Sequence, residues 1–206
     1  MRQTRSYRWN LVVLAIIGVA ICAVPDSAHA TIGQARAVQV ALVGAPTPPT
    51  TILADTGPLG GPMGAFFPQL DTREASLLQG IIPSLLTGDL LHATTIGWED
   101  QVASEASIRH LVLSIAGTTI TADFVMARAK AAAGTAATGN SDVVGLFVNG
   151  LPIMATGQPN QRIDFQGGYL LINELQSSPD KAAVNALHIV ITGVADVVIA
   201  SAIASQ

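Results

Sequence analysis

Residues 107–128 read SIRHLVLSIAGTTITADFVMAR, and their side chains alternate along the chain on both sides of a central Ala116-Gly117. In the first half, the residues that share one side are Arg109, Leu111, Leu113 and Ile115. In the second half, the residues that share one side are Ile120, Ala122, Phe124 and Met126. A period of two is typical of a β-strand, and two such runs around a short glycine-bearing turn predict a β-hairpin.

Three more hairpins are predicted further along the chain. Asn149-Gly150 is the strongest of their turn signals, because both positions of a type I′ turn need a positive φ. Gly167-Gly168 marks the second turn and residues 192–196 the third. The segments paired around these turns are 143–148 with 151–156, 162–165 with 169–174, and 184–191 with 197–204.

The other segments are less uniform. Residues 36–43 alternate as a strand does, and residues 50–54 fit a second strand. Residues 55–68 (DTGPLGGPMGAFFP) hold four glycines and three prolines, which predicts a long surface loop. Residues 130–141 (KAAAGTAATGNS) are small and polar, which predicts another loop.

Two segments leave alternatives open. Residues 74–82 fit a short helix, which Thr72 would cap, as well as they fit a strand. Residues 85–95 fit two short strands around Gly88-Asp89. Because paired extended segments dominate, we expect an all-β fold, an antiparallel β-sandwich built of hairpins, with at most one short helix near 74–82.

The N-terminus has the pattern of a signal peptide. Arg2, Arg5 and Arg8 precede the apolar run LVVLAIIGVAICAV at residues 11–24. Ala28-His29-Ala30 then supplies the small residues that a signal peptidase requires. We therefore expect residues 1–30 to insert as a helix and to be cleaved after Ala30, which leaves residues 31–206 as one domain.

Composition excludes several classes of partner. Residues 1–30 hold three of the ten basic and one of the fourteen acidic residues, so the remaining chain has 7 basic and 13 acidic residues and a net charge of −6. Nucleic acids and anionic membrane surfaces both bind cations, so we expect neither as a partner; membrane contact is expected only through the leader. The only cysteine is Cys22, so the cleaved chain can form no disulfide and no thiolate site.

Carboxylates suggest one candidate ligand site. Asp123 and Asp196 each follow an alanine in an otherwise apolar or Thr-rich strand, and oxygen ligands of this type bind calcium. The loop carboxylates that could join them are Asp55, Glu99, Asp100 and Asp142. The alternative is that these groups face solvent or bond to nearby turns. Since no EF-hand spacing is present, we expect no bound metal or cofactor.

The histidines suggest a second candidate. His92, His110 and His188 follow the leader, and a histidine that meets a serine and an acid could form a hydrolase triad. However, His110 and His188 lie between apolar neighbours in predicted strands, and the chain lacks the G-x-S-x-G and H-E-x-x-H motifs. We therefore expect no enzymatic activity.

Aromatic residues suggest the third candidate. Trp98, beside Glu99-Asp100, would form a sugar-binding platform if Tyr169 and Phe66-Phe67 came close to it. The alternative is that Trp98 packs against the core at a sheet end.

Three blocks resemble the choice-of-anchor P family of bacterial exported proteins. They are GTTITADFVMARA (117–129), VVGLFVNGLPI (143–153) and AAVNALHIVITGVADVVIASA (182–202). The resemblance implies export and display at the cell surface, without an activity to carry over. No sortase motif, apolar helix or basic tail follows the last predicted strand, which favours release. We therefore expect a secreted, non-enzymatic protein with a structural or interaction role, through self-association or an extracellular partner; a carbohydrate- or calcium-binding module is the alternative.

Overall fold

The chain folds into β-strands. The structure, a computed structural model, describes residues 32–44, 49–60 and 71–206, so the predicted leader and Phe66-Phe67 lie outside the described residues. Within these ranges no helix is present, and therefore none that could span a membrane. The strands are β1 (Ile32–Leu42), β2 (Thr50–Asp55), β3 (Leu59–Gly60), β4 (Asp71–Ile82), β5 (Leu86–Gly97), β6 (Gln101–Ile115), β7 (Thr118–Ala132), β8 (Thr135–Val144), β9 (Phe147–Val148), β10 (Leu151–Pro152), β11 (Gln161–Phe165), β12 (Gly168–Ser177), β13 (Lys181–Ile191) and β14 (Ala195–Ser205).

The strands form two antiparallel sheets of seven strands each. Sheet 1 has the order β11-β12-β13-β14-β1-β2, with β3 also paired to β1. Sheet 2 has the order β10-β9-β7-β6-β5-β4, with β8 also paired to β7. The sheets pack face to face, with β14 against β6 and β7, and β1 against β5 and β6. The predicted antiparallel β-sandwich is therefore confirmed.

The predicted hairpins are present, but the one at Asn149-Gly150 is shorter than predicted: Phe147–Val148 pair with Leu151–Pro152, whereas residues 143–144 belong to β8 and residues 153–156 form no strand. The hairpin of residues 107–128 is longer than predicted, because β6 and β7 pair from Gln101 with Ala132 to Ile115 with Thr118. Asn149 and Gly150 have φ values of 50° and 77°, as a type I′ turn requires. The pairs β11–β12 and β13–β14 confirm the last two hairpins.

Some local predictions were wrong. The short helix allowed near 74–82 is absent, because these residues belong to β4 and pair with β5. Residues 85–95 form most of one strand, in which Gly88 leaves room for Ile108 and does not turn the chain. Residues 130–141 complete β7 and start β8, with a turn only near Gly134. Small residues suit these strands because Gly139, for example, lies directly against Val184 of the other sheet.

The side-chain alternation of sheet 1 changes phase along one transverse row. On β13, Ala182 and Val184 face the core before the row, and Ile189 and Ile191 face it afterwards. A strict period of two would send one of these sets to solvent, so β1, β12, β13 and β14 each carry one extra residue at the row. The resulting pairs of consecutive buried residues are Ala37-Val38, Ile172-Asn173, Ala186-Leu187 and Ile199-Ala200.

Sheet 2 has a corresponding row in which two consecutive side chains point outward. Leu90 and His110 have positive φ at this row, with values of 48° and 47°. The outward pairs are Leu78-Gln79, Asp89-Leu90, Arg109-His110 and Asp123-Phe124. We call this line the switch row of sheet 2.

A small polar network joins the two sheets inside the core. Thr95 is fully buried, and its Oγ1 lies 3.1 Å from Ser104 Oγ and 3.3 Å from Thr56 Oγ1. The Ser104 hydroxyl donates to the carbonyl of Ile203 at 2.7 Å. Each of these buried hydroxyls therefore has a partner, which removes the penalty of burying it.

Candidate functional site

A histidine cluster lies on the outer face of sheet 1. His188 of β13 places Nδ1 3.0 Å from Glu174 Oε2 and Nε2 3.1 Å from Asp196 Oδ1. Asn185 donates from Nδ2 to Glu174 Oε2 at 2.6 Å. Glu174 and His188 are largely covered, at 16% and 18% side-chain exposure, whereas Asp196 is 48% exposed. We call these four residues the histidine cluster.

The strand register brings the cluster together. Glu174 stands opposite Asn185, and Asp196 on β14 stands opposite Val190, two residue pairs away from His188. The phase change at Ala186-Leu187 is needed, because a strict alternation would place Asn185 and His188 on opposite faces. Both residues face outward since one extra residue separates them.

The contacts of His188 limit its chemistry. Nδ1 and Nε2 each lie within hydrogen-bond distance of a carboxylate oxygen, at 3.0 Å from Glu174 and 3.1 Å from Asp196. Both ring nitrogens are thereby occupied, which leaves neither free to accept a proton from a substrate. Glu174, His188 and Asp196 also do not form a metal cage, as the described part of the chain has no group of three or more His, Cys, Asp or Glu residues arranged to hold an ion.

A row of polar residues continues from the cluster across sheet 1. Ser201 stands opposite Asn185 on one side and Arg36 on the other, and Arg36 stands opposite Asp55. Arg36 Nε lies 3.0 Å from Asp55 Oδ2. The row therefore spans from Glu174 on β12 to β2.

Asp55 is held in its charged form. Burial raises its pKa, but hydrogen bonds from Gln34 and from the Gly57 amide, together with Arg36, outweigh burial and lower the pKa below 3.8. Gln34 Nε2 donates to Asp55 Oδ1 at 2.9 Å, and the Gly57 amide donates to the same oxygen at 2.8 Å. The Asp55 carboxylate is thus occupied by Gln34, Arg36 and the Gly57 amide, and it is not a free calcium ligand.

An aromatic residue lies at one end of this face. The Arg162 guanidinium stacks over the Tyr169 ring, 3.9 Å from its centroid. A hydrogen bond to Asp164 raises the pKa of Arg162 and keeps the guanidinium charged. Tyr169 stands opposite Val190, which in turn stands opposite Asp196, so the aromatic end adjoins the histidine cluster.

The two aspartates predicted to share a calcium site do not meet. Asp196 faces outward from sheet 1, whereas Asp123 is exposed on β7 in sheet 2, so the core lies between them. Asp123 rests against the backbone of Gly145, where an added Cβ would lie 2.1 Å from its Oδ2. Asp142 is 3.4 Å from Arg128. The predicted set of carboxylates is therefore dispersed.

The predicted aromatic platform is not assembled either. Trp98 is 38% exposed and begins the turn between β5 and β6, whose Glu99 and Asp100 precede Gln101. The side chain of Gln206 donates to the Asp100 carbonyl, which places this turn beside the end of β14. Tyr169 lies at the other end of sheet 1, close to Asp196 at the start of β14.

A serine, a histidine and an acid do converge on the outer face of sheet 2. Ser76 Oγ lies 2.9 Å from His92 Nδ1 and donates to Glu74 Oε1 at 2.9 Å. Glu74 Oε1 is also 3.6 Å from His92 Nδ1. In a catalytic triad the serine and the acid contact different ring nitrogens. Here both approach Nδ1, so the arrangement does not activate Ser76.

The same face carries a shallow cavity of about 530 Å³. An ion pair closes one side, since Arg128 Nε lies 2.8 Å from Glu105 Oε2. Its lining residues include Thr94, Ile96, Glu105, Arg128, Lys130 and Asn140. Two of the three charged residues in the lining, Glu105 and Arg128, neutralise each other, which leaves Lys130 as the remaining charge of this shallow cavity.

The outer face of sheet 2 also exposes apolar side chains, beside an ion pair in which His110 Nδ1 lies 3.2 Å from Asp89 Oδ2. Ile81, Val112 and Phe147 lie in one cross-strand row, with Thr87 and Thr121 between them. Exposed apolar side chains of this row and its neighbours are Leu78 83%, Ile81 53%, Leu90 47%, Val112 42%, Val144 54% and Phe147 40%. We call these six residues the apolar stripe. Exposed apolar side chains gathered on one face of a sheet are typical of interaction sites.

Sequence reasoning missed Glu174, Asn185 and the apolar stripe. Each of these residues has an ordinary strand context, and their meeting depends on the cross-strand register. Comparisons with protein-family models, with curated proteins and with solved structures found no match to this chain.

Proposed function

We propose that this chain is an exported bacterial protein with a non-enzymatic structural or interaction role outside the cell. The leader pattern of residues 1–30 supports export, and the resemblance to the choice-of-anchor P family agrees with it.

The observation that carries the interaction role is the apolar stripe together with the adjoining strand β4. Leu78 and Ile81 of the stripe belong to β4, which pairs only with β5 among the described strands. An uncovered edge strand offers unpaired backbone groups, and natural proteins usually protect such edges. Apolar side chains beside an open edge support association with another polypeptide.

Export is tested at the cleavage site. We expect the exported wild-type protein to begin at Thr31, as an intact mass measurement would show. Replacing Ala30 with Phe should block cleavage, because the peptidase pocket takes a small side chain there. His29→Phe is the matched control, since the middle position of Ala28-His29-Ala30 carries no such restriction. An exported wild-type protein that retains Met1–Ala30 would contradict the proposal.

The interaction role is tested by the state of association of the exported protein. We expect analytical ultracentrifugation to show oligomers whose fraction rises with concentration. A protein that stays monomeric at the highest concentration, and that recovers no partner from the culture medium, would count against the proposal.

A carbohydrate-binding module is the second candidate, and the face formed by Tyr169 and the histidine cluster favours it. Sugar sites combine an aromatic surface with a few fixed polar groups, and this face offers both. A polysaccharide that binds the native state should raise the melting temperature. Tyr169→Ala should abolish that rise, whereas Trp98→Ala, at the far end, should not. The absence of a shift with a broad polysaccharide panel and with calcium would remove this candidate.

A further inference from the structure

β4 is the longest edge strand of the described sheets, and its charges are confined to one end. It extends over 12 residues, Asp71–Ile82, with the sequence DTREASLLQGII. Asp71, Arg73 and Glu74 occupy its first third, whereas residues 75–82 carry no charge. Charges and prolines are the usual protection of an edge against pairing, so residues 75–82 are an unprotected stretch.

The other edges are shorter or partly covered. β2 has 6 residues and β11 has 5, and β11 carries Arg162 and Asp164. β8 has 10 residues, but the Ala137 amide on it already donates to the Pro179 carbonyl at 3.0 Å. β4 is therefore the edge at which a further strand can add over the greatest length.

The switch row imposes a condition on any strand that adds to β4. Leu78 and Gln79 both point outward, and the adjacent Asp89-Leu90 of β5 does the same at the same level. Residues directly opposite each other in an antiparallel pair lie on the same face. A new neighbour must therefore also present two consecutive outward residues at this level.

We propose that the neighbour is β4 of a second copy, paired antiparallel about a two-fold axis between Leu78 and Gln79. This inference rests on the proposed interaction role and names its partner. The axis places Leu78 opposite Gln79 of the other copy, so each copy supplies the two consecutive outward residues that the other requires. A two-fold interface uses the same surface on both copies, as the commonest dimers do.

This register matches side chains along the whole uncharged stretch. On the outer face, Ser76 stands opposite Ile81 of the second copy. On the core side, Leu77 stands opposite Gly80, and Ala75 stands opposite Ile82. A shift by one residue in either direction would place Leu77 or Gly80, which face the core side, opposite an outward residue, so it would break the match.

The pairing also covers the most exposed part of the apolar stripe. Leu78 is 83% exposed in the single chain, and the two copies of Leu78 become diagonal neighbours on the outer face. Ile81, at 53% exposure, gains a cross-strand partner. The stripes of the two copies then form one surface across a continuous sheet.

A pair of cysteines tests the register. The experiment uses the exported protein with Cys22→Ser, so that all thiols are introduced ones. In the double variant Ser76→Cys/Ile81→Cys, the thiol at position 76 of one copy lies opposite the thiol at position 81 of the other. A direct cross-strand pair of this kind has a Cβ separation of about 4.5–5.5 Å, close enough for a disulfide. The two positions of one chain are about 17 Å apart along the strand, so no disulfide can form within a chain.

The control is Ser76→Cys alone, because the two copies of position 76 lie about 17 Å apart along the strands in the proposed register and would crosslink only if the register were shifted. We expect a covalent dimer on a non-reducing gel from the first variant, at least about tenfold more than from the control. Equal or greater crosslinking of the control would overturn the register.

A charge variant tests the edge itself. Leu78→Lys places two ammonium groups side by side at the two-fold axis and should raise the dimer dissociation constant by about a hundredfold. Val112→Lys changes an equally outward residue of the stripe on the inner strand β6 and should leave dimerisation nearly unchanged. Far-ultraviolet circular dichroism checks that both variants remain folded.

The outcomes separate this inference from the proposed function. If Leu78→Lys leaves the oligomer intact, the β4 pairing is wrong, but self-association through another surface stands. If the wild-type protein is a monomer whose β4 amides are protected from hydrogen exchange, the edge is covered by its own chain, and the second copy is excluded. If the wild-type protein is a monomer with unprotected β4 amides, the pairing is also wrong.

Discussion

Single polar residues on the outer faces are held by partners on neighbouring strands. Asp55 combines one cation, one amide side chain and one backbone amide. His188 bridges two carboxylates in a comparable way. Because the side-chain contacts of Asp55 with β1 and of His188 with β12 and β14 cross between strands, such residues fix the register as well as their own side chains.

Asp55→Asn should destabilise the protein near neutral pH by about 1 kcal/mol, since it removes a charged acceptor from three donors. The pKa of Asp55 is lowered on folding, so its contribution is present above the unfolded-state value of 3.8 and is lost as the pH falls through the folded-state pKa. Urea unfolding at neutral and at acid pH measures both effects. Asp164→Asn, at an exposed ion pair, is the control and should change little. A variant as stable as the wild type at neutral pH would contradict the role of Asp55.

At the scale of the strand, the transverse rows decide which side chains are buried. In sheet 1, Asn173, Ala200 and Ala54 have positive φ on alternate strands, whereas Ala186 and Ala37 between them do not. A positive φ costs an L-residue about 1–2 kcal/mol. The row persists because it allows the side chains on both of its sides to be buried. The strands are thereby bent at one common level.

Ala200 and Ala186 form a matched pair for this row. Both are fully buried and lie between the same two residue pairs of β13 and β14, but only Ala200 has a positive φ, of 53°. Glycine relieves strain at Ala200 and adds only flexibility at Ala186. We therefore expect Ala200→Gly to be more stable than Ala186→Gly by about 1–2 kcal/mol in urea unfolding. The opposite order would show that position 200 has an ordinary conformation in solution.

At the scale of the whole molecule, small residues let the sheets approach. Gly33 on β1 lies against Thr95 and Val102 of sheet 2, where an added Cβ would be 2.4 Å and 2.6 Å from their Cγ2 atoms. Ala35, Ala37 and the alanines of β14 continue this close contact. Cohesion without disulfides thus depends on a tightly fitted, alanine-rich interface.

Gly33→Ala should destabilise the protein by about 1–3 kcal/mol, because neither neighbour is the far end of a flexible side chain. Thermal and urea unfolding would measure the loss. Gly134→Asn is the control: its φ of 73° suits asparagine, and nothing lies within 4 Å of the added Cβ. Equal stability of the two variants would show that the sheets can move apart at no cost.

The sequence by itself determined the fold class and most turns. Alternation in residues 107–128, the Asn149-Gly150 turn and the paired C-terminal segments are local signals, and each arises from the period-two geometry of a strand or from the need for positive φ. Only the tertiary structure decided that residues 74–82 and 130–141 are strands, since their small or mixed side chains acquire a strand conformation from their neighbours. It also decided that Asp123 and Asp196 lie apart, and that Glu174 meets His188. These contacts depend on register, and one extra residue per strand moves a side chain to the other face, a change that no local pattern in the sequence records.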